Sequence, residues 1–182
     1  MLFRSFPQFL FCLRDSNILP RAFILCLGPD QPDYPYRDRF FLDPGHMSLM
    51  LYGVLALAGL MPAAELENFR QWGSQTPGHP KVDMLHGIKN TSGPLGQGHA
   101  ITLDTAIAKR FMTARFGEWM AHKTYVYISD GGIQEKVSQG IGQVAGHLGL
   151  HHFIMYYDAN NIQLSTKVEE VTSEDIATKY RA

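Results

Sequence analysis

The chain has 182 residues, a length at which one domain is expected and a three-layer α/β core can be buried. Hydrophobic residues make up 45% and charged residues 18%, both ordinary for a globular protein, and the formal net charge is −1. This balance argues against a nucleic-acid or anionic-membrane partner. Cys12 and Cys26, the two cysteines, have no metal-type spacing and indicate no disulfide framework, which fits a reducing, cytoplasmic environment.

The first 36 residues differ from the rest of the chain. Met1 to Leu27 is rich in Phe, Leu and Ile, and it is interrupted by Pro7, Arg14, Asp15, Pro20 and Arg21. The apolar pieces between these residues are too short to span a bilayer, and no small-residue cleavage site follows a clean apolar run. We therefore predict an atypical leader over 1–36 without a functional assignment, and one domain over 37–182.

The first part of the domain alternates apolar segments with turn residues. A turn, Asp43 to His46, stops the first apolar run, and the long Gly-, Pro-, Ser- and Thr-rich stretch predicts a loop of the functional or disordered kind. Helical spacing, Pro near a start and Gly at an end predict the helices. The predicted segments are an apolar run Phe40–Leu42, a buried helix Ser48–Leu60, a helix Ala63–Trp72, a loop 74–98 and a helix Ala100–Phe116 stopped by Gly117.

The second part predicts a parallel β-α-β unit. Thr124 to Ser129 and Phe153 to Tyr157 are short β-rich runs, and Ile133 to Leu148 between them has the pattern of a helix despite its glycines. Such a unit places its two strands parallel in one sheet. Thr172 is expected to open a last helix, with Asp175 as a weak capping-box partner. The predicted fold class is α/β, with a parallel sheet flanked by helices.

Polar residues follow both predicted strands. Asp130, with Gly131 and Gly132, comes after the first strand, and Asn160 follows the second. Ligands of open parallel sheets bind beyond the carboxyl ends of the strands, and a carboxylate with an amide oxygen suits Mg²⁺, which completes its shell with phosphate oxygens and water. Glycines allow close backbone approach, and a following helix directs free amides at an anion. Asp-Gly and Asn-Asn are also common turn and loop sequences, so the residues alone leave both interpretations open.

Four ordered motifs resemble those of one enzyme family. Ser129-Asp130-Gly131 with Asn160-Asn161 is similar to the Gly-Asp-Gly … Asn-Asn signature of thiamine-diphosphate enzymes. Three further segments narrow the resemblance to transketolase: Asp38-Arg39-Phe40 leading to Pro44-Gly45-His46-Met47-Ser48, Thr76-Pro77-Gly78-His79-Pro80, and Thr91-Ser92-Gly93-Pro94-Leu95-Gly96-Gln97-Gly98. The resemblance covers about 36–182. It implies a thiamine-diphosphate-binding fold and the transfer of a two-carbon ketol unit between ketose and aldose phosphates.

The resemblance also implies a metal and cofactor site. Asp130 and Asn160 would be side-chain ligands of Mg²⁺, and the carbonyl of Ile162 would be the third ligand. Gly131 would contact the diphosphate of thiamine diphosphate. These roles follow from the match of motifs, and the strand-end position of Asp130 supports them independently.

Five more residues receive roles from the same resemblance. His46 and His79 match histidines that line the thiazolium end and contact substrate or diphosphate, Gly93 and Leu95 match residues that touch the cofactor rings, and Glu135 matches a buried glutamate that helps link the sites of two subunits. A lone histidine is more often structural than catalytic. Both histidines here lie in Pro-Gly-His turns, however, and loops on rigid scaffolds carry function. A pKa near neutrality would suit hydrogen bonding to a sugar hydroxyl.

The sequence departs from the family pattern in several places. Ser129 stands where the signature begins with Gly, Lys136 stands where Gly is usual, and 1–36 contains no His-Pro-Gly motif. Nothing in the sequence matches a pyrimidine-binding domain, which supplies the glutamate that activates the cofactor. We therefore expect a truncated domain that needs missing C-terminal domains or a partner subunit, within a homodimeric complete enzyme. The alternatives are a non-catalytic remnant or interaction module, and a different thiamine-diphosphate enzyme, which the Pro-Gly-His turns argue against.

Overall fold

A parallel sheet of three strands forms the centre of the structure, a computed structural model that describes residues 36–164 and 166–180. The strands are β1 (Arg39–Leu42), β2 (Thr124–Ser129) and β3 (Phe153–Asp158), in the order β1-β2-β3. Thr124 pairs with Arg39 on one side and with Phe153 on the other. Because all three strands run in the same direction, their carboxyl ends meet at one edge of the sheet. The predicted leader, apart from Tyr36, lies outside the described residues.

Helices cover the sheet, and a small antiparallel hairpin follows β3. The described helices are α1 (Ser48–Leu57), α2 (Gln97–Phe116), α3 (Asp130–Gln134), α4 (Lys136–His147) and α5 (Ile176–Lys179). The hairpin strands are β4 (Ile162–Gln163) and β5 (Thr166–Lys167). Within 36–164 and 166–180, no helix combines the length and the apolar character that a bilayer crossing requires.

Side chains of β2 alternate between two cores. Tyr125 and Tyr127 belong to the core formed with α1, whereas Ile128 packs with Ile133 of α3 and Ile176 of α5. On that second face, α2 and α4 also contact each other. All six residues of β2 are buried, as expected of a central strand covered on both faces. The predicted α/β architecture, a parallel sheet flanked by helices, is confirmed.

Two predicted helices differ from the structure. The segment 63–72 forms only a short 3₁₀ helix, Ala63–Asn68, in which no residue is fully buried. Only Leu66 and Phe69 pack partly against the core, which is little burial to stabilise an α-helix. The predicted helix 133–148 is divided into α3 and α4. Glu135 lies between the two helices, and its extended backbone (ψ 138°) interrupts the helical conformation.

The helix ends also needed correction. The last helix begins at Ile176 and not at Thr172, because Asp175 itself is the N-cap and its Oδ1 accepts a hydrogen bond from the Thr178 N–H at 3.1 Å. The first helix ends at Leu57, three residues before the predicted end, and α2 begins at Gln97, three residues before the predicted start. The predicted end of α2 is correct: Gly117 follows the helix with φ 108°, a conformation that favours glycine.

Candidate functional site

Three buried carboxylates mark the carboxyl edge of the sheet. Asp43 directly follows β1, Asp130 directly follows β2, and Asp158 is the last residue of β3. Their exposed fractions are 0%, 2% and 7%. Burial and the neighbouring charge of Asp130 raise the pKa of Asp158 above its ordinary value. The sheet topology thus concentrates negative charge at this edge, where ligands of parallel sheets bind.

Asp130 is held by a hydrogen bond on each carboxylate oxygen. Oδ1 accepts the hydroxyl hydrogen of Tyr157, and Oδ2 accepts the backbone N–H of Asn161 at 2.7 Å. Asn161 adopts a left-handed backbone conformation (φ 62°), which Asn tolerates better than most residues. Both donors are neutral, so they add no positive charge beside the carboxylate, and each oxygen retains a lone pair for a further ligand.

Asn160 is oriented by its neighbours at the start of the hairpin. Its amide Nδ2 donates to Oδ2 of Asp158 at 3.2 Å, and its Oδ1 accepts the backbone N–H of Ile162 at 2.9 Å. The carboxylate of Asp158 can only accept, which fixes which end of the amide is oxygen. Asn160 and Ile162 are both exposed. The three predicted metal ligands therefore lie just after the strands: Asp130 follows β2, Asn160 lies in the turn after β3, and Ile162 begins β4.

His46 and His79 come together through a contact between their two turns. A Cβ atom on Gly45 would lie 2.5 Å from Cδ2 of His79 and 3.1 Å from the backbone nitrogen of Gly93. The two Pro-Gly-His turns and the loop over 91–98, here called the glycine loop, therefore touch at a point where only glycine fits. Partial burial and the neighbouring His79 lower the pKa of His46, while Asp158 and Asp43 act in the opposite direction.

The glycine loop packs against the start of the second half of the domain. A Cβ atom on Gly131 would lie 3.1 Å from Cδ1 of Leu95, so the two predicted cofactor contacts pack closely together and a side chain at position 131 would crowd Leu95. Gly96 has φ 84° and approaches Cβ of Glu135. Glu135 itself is exposed in the single chain, and its predicted burial between two subunits stays a prediction.

Ser129 is accommodated where the signature has glycine. Its backbone is extended (φ −97°, ψ 172°), a conformation that any residue adopts, and its Oγ accepts the Gly132 N–H at 3.4 Å as the N-cap of α3. This departure from the family pattern therefore leaves the turn intact.

Asp43 is a site residue that the sequence analysis treated only as part of a turn. Its two oxygens accept the backbone N–H groups of Gly96 (3.0 Å) and His99 (3.1 Å), at the first turn of α2. A Cβ atom on Gly132 would lie 2.5 Å from its Oδ2. Burial raises the pKa of Asp43, and the backbone donors oppose that shift. A signal existed in the sequence, since an acidic residue ends the apolar run. The residues that it binds, however, lie more than 50 positions away.

Mg²⁺ fits the donor set at the strand ends. Among the described residues, the ion pairs lie elsewhere, and neither Asp130 nor Asp158 has a Lys or Arg partner. Nor do three His, Cys, Asp or Glu side chains of the described residues form a metal cluster by themselves. A cation here would take few carboxylates and complete its shell with amide, carbonyl, phosphate or water oxygens, as Mg²⁺ does.

Comparisons with known proteins agree with this geometry. A family model described as "Transketolase, thiamine diphosphate binding domain" matches residues 18–182. Transketolase 2 of Xanthobacter flavus is 42% identical over 160 residues, which cover 85% of this chain and 23% of that protein. The transketolase of Halalkalibacterium halodurans is 41% identical over 160 residues, covering 85% and 24%.

Solved structures show the same likeness in three dimensions. The Campylobacter jejuni transketolase superposes with a TM-score of 0.81 at 35% identity, covering 88% of this chain and 26% of that one. For the Leishmania mexicana transketolase the TM-score is 0.78 at 37% identity, with 84% and 24% covered. The fold is thus that of a thiamine diphosphate-binding α/β domain. The chain belongs to the transketolase family and spans about a quarter of the length of the relatives that it matches.

Proposed function

We propose that this chain binds thiamine diphosphate through Mg²⁺, with Asp130, Asn160 and the carbonyl of Ile162 as the protein ligands of the ion. The observation that carries the proposal is the position of Asp130: buried, fixed by two neutral hydrogen-bond donors and placed at the carboxyl end of the central strand. Membership of the transketolase family supports it. The described oxygen donors suit a hard cation.

The glycine positions would receive the rest of the cofactor. Gly131 has no side chain that would shield its backbone from a diphosphate oxygen, Leu95 packs against it, and Gly93 lies on the same loop as Leu95. When bound, thiamine diphosphate supplies the carbon acid that makes and breaks bonds to a sugar carbonyl carbon. The chain would supply a fixed position for the cofactor.

His46 and His79 would contact the substrate. Their turns are in van der Waals contact, so the two imidazoles lie at the same side of the site. The lowered pKa of His46 keeps its ring neutral at physiological pH. A neutral imidazole can accept a hydrogen bond from a sugar hydroxyl and, through its other nitrogen, donate one to a phosphate or hydroxyl oxygen.

In the whole protein, we propose the transfer of two-carbon ketol units between ketose and aldose phosphates in the cytoplasm. The domain 37–182 would contribute the Mg²⁺-diphosphate end of the site, and a pyrimidine-binding domain, from C-terminal domains or from a partner subunit of a homodimer, would contribute the rest. Glu135 is exposed in this chain and approached by the glycine loop, a position compatible with a contact to such a domain.

Calorimetric titration of the purified chain with thiamine diphosphate, with and without Mg²⁺, tests the proposal. We expect saturable binding that requires Mg²⁺ and that is lost in Asp130→Asn, which keeps the shape of the side chain but removes its charge. Asp104→Asn is the matched control, because Asp104 is exposed on α2 away from the sheet edge. Absence of binding by a folded wild-type chain would support the alternative, a non-catalytic remnant or interaction module.

A further inference from the structure

We infer that Tyr157 is a positioning residue for the cation site, because its hydroxyl sets the orientation of the Asp130 carboxylate. The inference rests on the proposed function and deepens it. Neither the sequence pattern nor the family motifs single out this residue, which looks like an ordinary core tyrosine in an apolar strand. The sheet register creates a contact between Tyr157 of β3 and Asp130 at the end of β2.

The backbone brings Tyr157 to Asp130 from the neighbouring strand. Tyr157 pairs with Ile128 in the parallel register, two positions before Asp130. Its ring packs against the core cluster that contains Ile128 and Ile133, so the aromatic ring is held from one side by apolar contacts. The hydroxyl then reaches past the end of β2 and donates to Oδ1 of Asp130. The apolar packing thus fixes the position of the Tyr157 ring, and the ring in turn fixes the position of its hydroxyl.

The two donors on Asp130 determine how the carboxylate is turned. Tyr157 holds Oδ1, and the backbone N–H of Asn161 holds Oδ2. With both oxygens engaged, rotation about the bond to the carboxylate would break one of the two hydrogen bonds. The remaining lone pairs therefore point in set directions, which a metal with strict octahedral geometry requires. Partners that orient the ligands of a metal contribute to its affinity in this way.

The chemistry of the donor matters as much as its position. A Lys or Arg side chain in the same place would hold the carboxylate equally well, but its charge would oppose a cation. The tyrosine hydroxyl orients Asp130 and leaves its negative charge available. If Tyr157 served only to fill the core, phenylalanine would serve equally well, since a buried hydroxyl must find a partner. Here its partner is Asp130.

The experiment compares Tyr157→Phe with Tyr156→Phe and the wild-type chain. Both variants remove one hydroxyl from adjacent positions of β3, and Tyr156 packs in the core on the opposite face of the sheet. Mn²⁺, an electron-paramagnetic-resonance-visible substitute for Mg²⁺, is titrated into each chain with thiamine diphosphate present. We expect Tyr157→Phe to bind Mn²⁺ about 10–100-fold more weakly, the range found when such orienting partners are lost, and Tyr156→Phe to bind like wild type.

A second measurement separates positioning from a general loss of structure. At saturating Mg²⁺, the affinity of Tyr157→Phe for thiamine diphosphate should return to within about threefold of wild type, because only the metal step is impaired. Tyr157→His, which keeps a ring donor, should recover part of the Mn²⁺ affinity.

Three results would overturn the inference, and they are distinguishable. Mn²⁺ binding by Tyr157→Phe equal to wild type would show that the hydroxyl does not position the ligand, while the proposed function stands. Loss of the cooperative thermal unfolding transition in Tyr157→Phe would assign the hydroxyl to the fold. Failure of the wild-type chain to bind Mn²⁺ with the cofactor would remove the proposed function and this inference together.

Discussion

Replacement of Asp43 tests whether one buried carboxylate holds the start of α2 to the end of β1. Asp43 accepts two backbone N–H groups, from Gly96 and His99, which belong to the otherwise uncapped first turn of α2. The N-cap residue of that helix is Gly96, which has no side chain that could cap it. Asp43→Ala removes both acceptors and leaves two donors without partners in a region where Asp43 itself has no exposed surface.

The expected loss of stability follows from those two donors. A buried donor left unsatisfied costs roughly 1–3 kcal/mol, and two of them give about 2–6 kcal/mol. Burial disfavours the charge of Asp43, as the raised pKa indicates, so removal of the carboxylate returns part of this cost. We expect a net decrease of about 2–4 kcal/mol in the free energy of unfolding for Asp43→Ala. Asp43→Asn keeps one acceptor oxygen and should lose about half as much.

Urea unfolding of the whole chain at 25 °C, followed by far-ultraviolet circular dichroism, measures these differences by linear extrapolation. Asp104→Ala is the control for the loss of an aspartate from the same helix, and a change within about 0.5 kcal/mol is expected because Asp104 is exposed. If Asp43→Ala were as stable as wild type, or if Asp43→Asn lost as much as Asp43→Ala, the hydrogen-bond argument would be refuted.

Two further predictions concern α2. Burial lowers the pKa of His99 to about 4 from 6.5, so at this residue the unfolded chain binds more protons than the folded one between these values. His99 should therefore contribute a loss of about 3 kcal/mol in wild-type stability as the pH drops from 6.5 to 4. In His99→Leu that contribution disappears, so the variant should gain stability relative to wild type over the same window in denaturant unfolding, and parallel pH profiles would contradict this. Gly98→Ala should lose more than about 2 kcal/mol in the same assay, because its Cβ would lie 2.6 Å from the Asp43 Cα and 3.0 Å from the Leu42 carbonyl oxygen. Gly140→Ala, a helical position with no atom within 4 Å, is its control and should be neutral or slightly stabilising.

The parallel architecture could be predicted from the sequence because its signals are local. Thr124 to Ser129 is a short run of β-forming residues with a turn directly after it, and the structure has a strand with those bounds. The same local reasoning failed at 63–72. Pro and Gly at the two ends favoured a helix there, but the formation of a stable helix also depends on a buried face, which tertiary packing decides.

The same difference between local sequence signals and tertiary contacts decides which residues of the candidate site could be predicted. Asp130 could be placed at the sheet edge because it directly follows a predicted strand, and in parallel strands this edge is shared. The hydroxyl of Tyr157 and the carboxylate of Asp43 could not be assigned, because their partners depend on strand register and on contacts between distant loops. The roles of His46 and His79 stay predictions, and the structure shows only that their turns touch.

The order of the strands has a consequence for how the site is assembled during folding. The contact between Tyr157 and Asp130 joins residues 27 positions apart, within one β-α-β unit. At the other side of β2, the Lys123 N–H donates to Asp38 across 85 positions, and closing that larger loop costs about 1 kcal/mol more in chain entropy. Local pairings form before distant ones. We therefore expect the Asp130 end of the site to take shape early, and the turn that carries His46 to join it only when β1 docks.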